Sequence, residues 1–491
     1  MKENKNNLAV LLTVSFLIIS TVNILYASVV QRGLSFDGSL AFAQLLEDFG
    51  NNDGKMHFFT FLRARVFISY LQQLLLNVAC LIFDIKSKTI MGFLFTLPLF
   101  LYPLSVTVWN WFLVKRTNRY DIFLISLGIY CLFVLPSQIW ADVEAMLAIP
   151  LFLTLFHYLC ADIKYKKLDI VLIIFLTVVA FCSSEAMIYC GPLLFLSSLF
   201  YAKKSTDKTA KITKRIIGLF GLLMPVSYFF YYIDDLSILV NEGTRFFGEI
   251  NNFYMYSLFY HCPYLIMICA MVVILYASLK KKPFNTVEKS TLFFLSAVTI
   301  YLTFTKNYFS IYMPCEGCRV LLFIVLPIVM IFVTAKDFKA CNTEISPAKF
   351  QNLIITLLLV GIVNTCVQIN NSTIYRNCLN SILNQVKSHP ETIVDFYDED
   401  NPDIERFETI FITDFYPLVY ISTVQDYEID QLLYGISSES RNPQNAEKLY
   451  GLWIEKNQLF TNYRICFSKK NKFWNLKKIY NEAEKHPIII E

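Results

Sequence analysis

Four short stretches hold the residue types that proton transfer and anion binding require. "SFDGSLAF" carries Asp37, "WADVEAMLAIPLF" carries Trp140, Asp142 and Glu144, "CSSEAMIYCGP" carries Glu185, and "MPCEGCRVLL" carries Arg319. A further pair, Arg63 and Arg65, stands just before "VFISYLQQLLLNVACLIFDI". A carboxylate can take the proton of an attacking hydroxyl or hold sugar hydroxyls, and a guanidinium can grip a phosphate through two parallel N–H bonds. Each residue also has a plainer structural use. Asp37, followed by Gly38, Ser39 and an apolar-periodic run, fits a helix N-cap. Asp142 and Glu144 precede a helix whose N-terminal dipole favours acids whatever the function. Trp140 suits an interfacial anchor as well as a sugar-stacking platform. Arg63 and Arg65 can snorkel, and Arg319 can pair with Glu316. Glu185 is less easily explained, because a charge in so short and apolar a turn is costly unless it meets water, a cavity or a partner.

The elements that must position these groups are membrane helices. Of the 491 residues, 55% are apolar and 17% charged, and the mean hydropathy of +0.48 is far above that of an ordinary soluble domain. Apolar runs able to cross a bilayer occupy 8–28, 90–114, 121–136, 143–161, 168–184, 186–202, 214–233, 258–279, 290–305, 319–335 and 350–369. The first is read as a retained helix, since no small-residue cleavage site follows it. A twelfth candidate, Val66 to Ile85, contains Gln72, Gln73 and Asn77. Cys80, Cys131, Cys160 and Cys269 lie inside apolar segments as small hydrophobes, and the single C-x-x-C, Cys315 to Cys318, lacks the second ligand pair of a zinc site. The net charge of +4 reflects basic loops at one membrane face and does not point to nucleic acid.

Charge decides the topology. "KRTNRY" at 115–120, "DIKYKK" at 162–167, "KKSTDKTAKITKR" at 203–215, "KKKP" at 280–283 and "KDFK" at 336–339 are separated by pairs of spans and so share one side. That side and the N-terminus, with Lys2 and Lys5, are expected to be cytoplasmic. Val66 to Ile85 then does not cross, and 29–89 becomes one outer loop with interfacial helices. Asp37, Asp142, Glu144 and Glu185 all fall on the far face under this reading.

From Asn370 charges become frequent and apolar runs short. "TIFITDFYPLVYIST" reads as two strands, "AEKLYGLWIEKN" as a helix and "YRICFSKK" as a strand. The expected fold is therefore an all-α polytopic membrane protein of about eleven transmembrane helices over 1–370, followed by a small α+β extracytoplasmic domain over 371–491. Richness in Lys, Asn, Ile and Phe suggests a bacterial plasma membrane.

Together these features resemble the GT-C superfamily of integral membrane glycosyltransferases, of the protein O-mannosyltransferase and aminoarabinose transferase type. "SFDGSLAF" is similar to the acidic motif of that family's first outer loop, and "VFISYLQQLLLNVACLIFDI" to a juxtamembrane helix of the same loop. "WADVEAMLAIPLFL" resembles the acid-then-Pro-Leu helix start, and "CRVLLFIVLP" the arginine pattern near the last helices, without its Tyr. The first motif has one acid where many members have an Asp-Glu pair. The resemblance covers about 1–370 and does not extend to the tail.

The resemblance implies transfer of a sugar from a polyprenyl-phosphate donor to an envelope glycan, lipid or protein on the outer face. Asp37 would be the base or the acid that orients the acceptor, Glu144, with Asp142 as the alternative, and Glu185 secondary acids, and Arg319, assisted by Arg63 or Arg65, the phosphate clamp. Mg²⁺ or Mn²⁺ bridging carboxylates and phosphate suits oxygen ligands, although no spacing demands it. Two other readings stand beside this one. A lipid or glycan transporter or flippase would line a path through its helix centres with charge. A non-enzymatic scaffold would use the same acids only as caps.

Overall fold

The computed structural model describes residues 2–34, 41–42, 44–46, 58, 66–135, 143–181, 183, 186–231, 286, 290, 326–338, 347–388, 393–395, 423, 432–434, 452–455, 458–461 and 466–468. Its long helices are α1 (Lys2–Val29), α2 (Val66–Phe83), α3 (Lys88–Thr117), α4 (Tyr120–Ile129), α5 (Val143–Cys160), α6 (Lys167–Phe181), α7 (Met187–Lys204), α8 (Lys208–Tyr231), α9 (Leu326–Phe338) and α10 (Pro347–Ser388). Nine of the eleven apolar runs fall on these helices. The run 258–279 lies outside the described residues, as does 290–305 apart from Ser290. Within α1, α3, α8 and α10 are four stretches long and apolar enough to cross a membrane. On α1 the residues Val10, Leu11, Val14, Ile18, Val22 and Leu25 are exposed, as a lipid-facing stripe requires.

The helices run in directions that their contacts fix. Phe16 packs at Gly361, and Tyr26 shares a 3.1 Å hydrogen bond with Thr373, so α1 and α10 are parallel. At the far end of α1, the Gln31 side-chain amide donates to the Thr89 carbonyl at 3.1 Å, while Gly33 lies against Thr96 and Leu99. Helix α3 therefore starts where α1 ends and runs antiparallel to it. The chain between Leu34 and Lys88 begins and ends at one end of the bundle.

Helix α2 is not an ordinary interfacial helix. It packs on α3, α5 and α6, with Gln72, Gln73 and Asn77 buried while Phe67, Leu74, Leu81, Ile82 and Phe83 are exposed. Its amphipathicity is inverted relative to a helix lying between water and lipid, whose polar face would be the exposed one. The amides that made a crossing doubtful from sequence point into the protein, and Asn77 donates to the Gln73 carbonyl at 3.1 Å.

Tight backbone approach joins α7 to α8. A Cβ on Gly221 would meet the Gly191 carbonyl at 2.7 Å, and one on Gly218 would collide with Ser198. Small residues let helices meet closely where apolar burial from water cannot drive them together. In α4 the helix widens into one π-helical turn, Tyr130–Val134. That turn spoils the regular carbonyl pairing, and Asn364 of α10 donates to the Cys131 carbonyl at 2.7 Å.

Two features of the tail differ from the sequence expectation. Helix α10 does not end near Asn370; it runs 42 residues to Ser388, about 63 Å. Beyond 370 its buried residues are Asn371, Ser372, Tyr375, Cys378, Leu379, Ile382, Leu383 and Val386, a helical stripe that continues through the change in composition. The second difference is a correction. Within "AEKLYGLWIEKN" residues Leu452–Glu455 form a β-strand, not a helix. Gly451 sits directly before this strand, and the register pairs Glu455 with Gln458, so a two-residue loop turns the chain into the next strand.

The five short strands are β1 (Ile393–Asp395), β2 (Leu432–Tyr434), β3 (Leu452–Glu455), β4 (Gln458–Thr461) and β5 (Cys466–Ser468). β1 and β2 pair in parallel, and β3–β4–β5 form an antiparallel sheet. β5 lies within "YRICFSKK", as expected. "TIFITDFYPLVYIST" lies outside the described residues except for Thr423, whose carbonyl accepts from the Thr89 hydroxyl at 2.6 Å.

Candidate functional site

The two ends of the helix bundle differ sharply in their chemistry. At the end where α3, α5, α7 and α9 terminate, an ion-pair network ties their termini together. It begins at the α3–α4 turn, where Asn118 takes the left-handed conformation with φ 55° and closes α3 through the Val114 carbonyl. Asparagine tolerates that conformation better than most residues, and the turn sends Arg116 and Arg119 to different partners. Arg116 forms a two-pronged pair with Asp169 of α6 at 2.8 and 2.7 Å. The same carboxylate accepts from the Tyr158 hydroxyl at 3.2 Å and the Lys166 backbone N–H at 2.7 Å.

Arg119 lies at the centre of the second cluster. It forks onto Asp121 with two 3.0 Å bonds and donates to Asp337 of α9 at 2.7 Å. Lys336 reaches the same Asp121 at 2.8 Å, and Tyr201 of α7 donates to Asp337 at 2.7 Å. Burial works against the charge of Arg119, but Asp121, the Cys160 thiol and Asp337 outweigh it and hold the guanidinium protonated well beyond its ordinary range. Burial likewise pushes the Tyr165 phenol up, and its hydroxyl donates to the Tyr158 carbonyl at 2.7 Å. A neutral cluster lies beside these pairs. Asn110 donates to Ser126 at 3.2 Å and Thr154 at 2.8 Å. Its remaining oxygen faces His157 Nδ1 at 3.2 Å, so that nitrogen carries the proton and Nε2 accepts from Thr117 at 3.0 Å.

This network is a brace. Asp121, Asp169 and Asp337 each hold a cation and further donors, so none of these three is left available as a base. It also unites four of the five basic clusters, those at 115–120, 162–167, 203–215 and 336–339, at a single end. Phe350 of α10 stacks edgewise on Tyr120 at the same end, 4.4 Å between ring centroids.

At the opposite end stand the helix termini that lead in sequence to the expected site residues. Asp37 follows Leu34, the last residue of the turn after α1; Glu185 lies between the end of α6 and the start of α7; Glu144 belongs to the first turn of α5. Helix α5 has 18 residues and separates its first turn from the ion network by about 27 Å. Asp37, Arg63, Arg65, Trp140, Asp142, Glu185 and Arg319 lie outside the described residues, and for Glu144 only the backbone is described. The described residues hold no group of three His, Cys, Asp or Glu able to bind a metal ion. The side chains of the acids expected to share a Mg²⁺ or Mn²⁺ ion lie outside what is described.

One residue at this end escaped the sequence reading. Arg32, in the turn Arg32–Leu34 after α1, is buried. Its guanidinium donates to the Gln368 carbonyl at 3.1 Å, the Gln368 side chain at 3.0 Å and Ser372 at 3.0 Å. It also stands 5.7 Å over the Phe100 ring. Burial lowers its pKa to about 10, against the opposing influence of Tyr375. The signal was available, since a basic residue at a span end that the charge pattern assigns to the far face runs against the usual bias, as it does for Arg319. Arg32 anchors the end of α1 to α10, five residues before Asp37.

No family model, curated protein or solved structure matches the chain.

Proposed function

We propose that this chain is an integral membrane glycosyltransferase that moves a sugar from a polyprenyl-phosphate donor to an envelope acceptor on the outer face. The observation that supports the reading is the opposition of the two bundle ends. Asp121, Asp169 and Asp337 at one end are held in ion pairs, whereas the helix ends leading to Asp37, Glu144 and Glu185 gather at the other. By the distribution of basic residues the ion-paired end, with the N-terminus, faces the cytoplasm. The sequence runs complete a set of eleven spans, and the tail beyond Ser388, where α10 ends, is an extracytoplasmic α+β domain. A flippase would need charge along the helix centres, and the described ion pairs sit at helix ends instead.

In this mechanism Asp37 takes the proton of the acceptor hydroxyl as its oxygen attacks the anomeric carbon. The bond from that carbon to the lipid phosphate breaks with its electrons on phosphate oxygen, where Arg319, with Arg63 or Arg65, stabilises the charge. Glu144 and Glu185 hold sugar hydroxyls, with Asp142 and Trp140 beside them. A divalent cation, if bound by these oxygen donors, adds charge stabilisation at the phosphate. The test is transfer from a defined polyprenyl-phosphate sugar by the purified full chain. Arg319→Ala is expected to raise the donor concentration needed for half-maximal rate, and an unchanged donor dependence overturns the clamp.

A further inference from the structure

The ion network engages Asp121, Asp169 and Asp337 with Arg116, Arg119 and Lys336, and leaves other lysines of the basic end over. In the α5–α6 loop Lys164, Lys166 and Lys167 are exposed, and in the α7–α8 hairpin Lys203, Lys208 and Arg215 are exposed. The acids of the same stretches are few. Asp169 is held by Arg116, and Asp207 accepts from the Ala210 N–H at 2.8 Å as the cap of α8, which leaves Asp162. The two loops form one surface, because buried Lys214 donates to the Ala161 carbonyl at 2.6 Å.

The level of this surface in the membrane can be read from exposure along the helices. On α6 the exposed Lys167 is followed at once by exposed Leu168, Val171 and Ile174. On α8, Arg215 stands among exposed Ile212, Ile216 and Leu219. An exposed face that turns from apolar to basic within one helical turn marks the boundary between hydrocarbon and headgroups. Aromatic rings sit at the same level, with Lys115 5.6 Å over Trp111 and Lys204 4.7 Å over Phe200, as side chains with apolar bodies and polar tips do at an interface.

We infer that the α5–α6 and α7–α8 loops form a binding surface for the phosphates of anionic phospholipid headgroups in the adjoining leaflet. Arginines 116 and 119 close the bundle, and the exposed lysines are left to meet lipid, a division of labour that four basic clusters in one place would not by themselves require. The inference is independent of the sugar-transfer reading.

The experiment measures thermal unfolding of the full chain in nanodiscs of phosphatidylcholine alone and of phosphatidylcholine with a third phosphatidylglycerol. The wild type is expected to melt several degrees higher with phosphatidylglycerol. The gain should vanish near 1 M salt, where the screening length is about 3 Å. A variant with Lys164, Lys166, Lys167, Lys203, Lys208 and Arg215 changed to Gln should lose the gain. A second, with the five lysines changed to Arg, should keep it, and Lys86→Gln, distant from the surface, should also keep it. Glycerophosphate added at the same phosphate concentration to phosphatidylcholine discs should do nothing. No preference for phosphatidylglycerol in the wild type, an undiminished preference in the Gln variant, or an equal effect of glycerophosphate would overturn the inference.

Discussion

Arg119 and Asp337 meet at 2.7 Å although 218 positions separate them in sequence. The pair joins the first connection at this end of the bundle to the last residues of α9, and it is only partly screened by solvent, at 18% and 17% side-chain exposure. Removing one member of such a pair leaves the other desolvated without compensation. Arg119→Ala is expected to cost about 3 kcal/mol, read as an earlier thermal transition in detergent. Asp337→Asn in the same chain should add much less than it does alone, because both changes break one contact. Fully additive losses would show that the two residues are not coupled.

The exposed ridge of α2 provides a test of its environment. Leu74 faces outward between buried Gln73 and buried Leu76. If that ridge meets hydrocarbon, Leu74→Lys should cost on the order of 2 to 3 kcal/mol of insertion and folding free energy. A helix wetted on its outer face would accept the lysine at little cost. Reconstitution yield and unfolding midpoint of the variant distinguish the two outcomes.

The hydropathy runs located the described helices because lipid demands long apolar stretches with internally paired backbones. Three other features were hidden by the same rule. Helix α10 continues past Asn370 on a stripe that includes Tyr375, Cys378 and Leu379, and average hydropathy falls there although the helical period persists. Gln72, Gln73 and Asn77 argued against immersion because composition does not tell which face a polar residue takes. Arg116 and Arg119 read as solvated topological charges because their partners, Asp169 and Asp337, lie on other helices. The strand at Leu452–Glu455 was missed for a local reason, since Lys, Glu and Leu favour helix in isolation whereas the antiparallel partner Gln458–Thr461 decides the outcome. Of the expected site only the helix ends are described, so Asp37, Glu185 and Arg319 rest on the sequence argument.

Antiparallel α1 and α3 place Lys86 at one end of the bundle and Lys208 at the other. Lys86→Cys and Lys208→Cys, each compared with the unaltered chain as its blank, should react oppositely with a membrane-impermeant maleimide in sealed, right-side-out vesicles. Lys86→Cys is expected to label before detergent is added and Lys208→Cys only afterwards. Labelling of both from one side would break the topology.

In the proposed mechanism Asp37 supplies the base for sugar transfer at the outer face. Its most direct test is single-turnover transfer from a defined polyprenyl-phosphate sugar by wild type and Asp37→Asn, purified and reconstituted side by side at matched insertion. A loss of at least about 100-fold is expected in the variant, the usual scale of a positioned general base, with the thermal transition unchanged. Transfer by Asp37→Asn at the wild-type rate would contradict it.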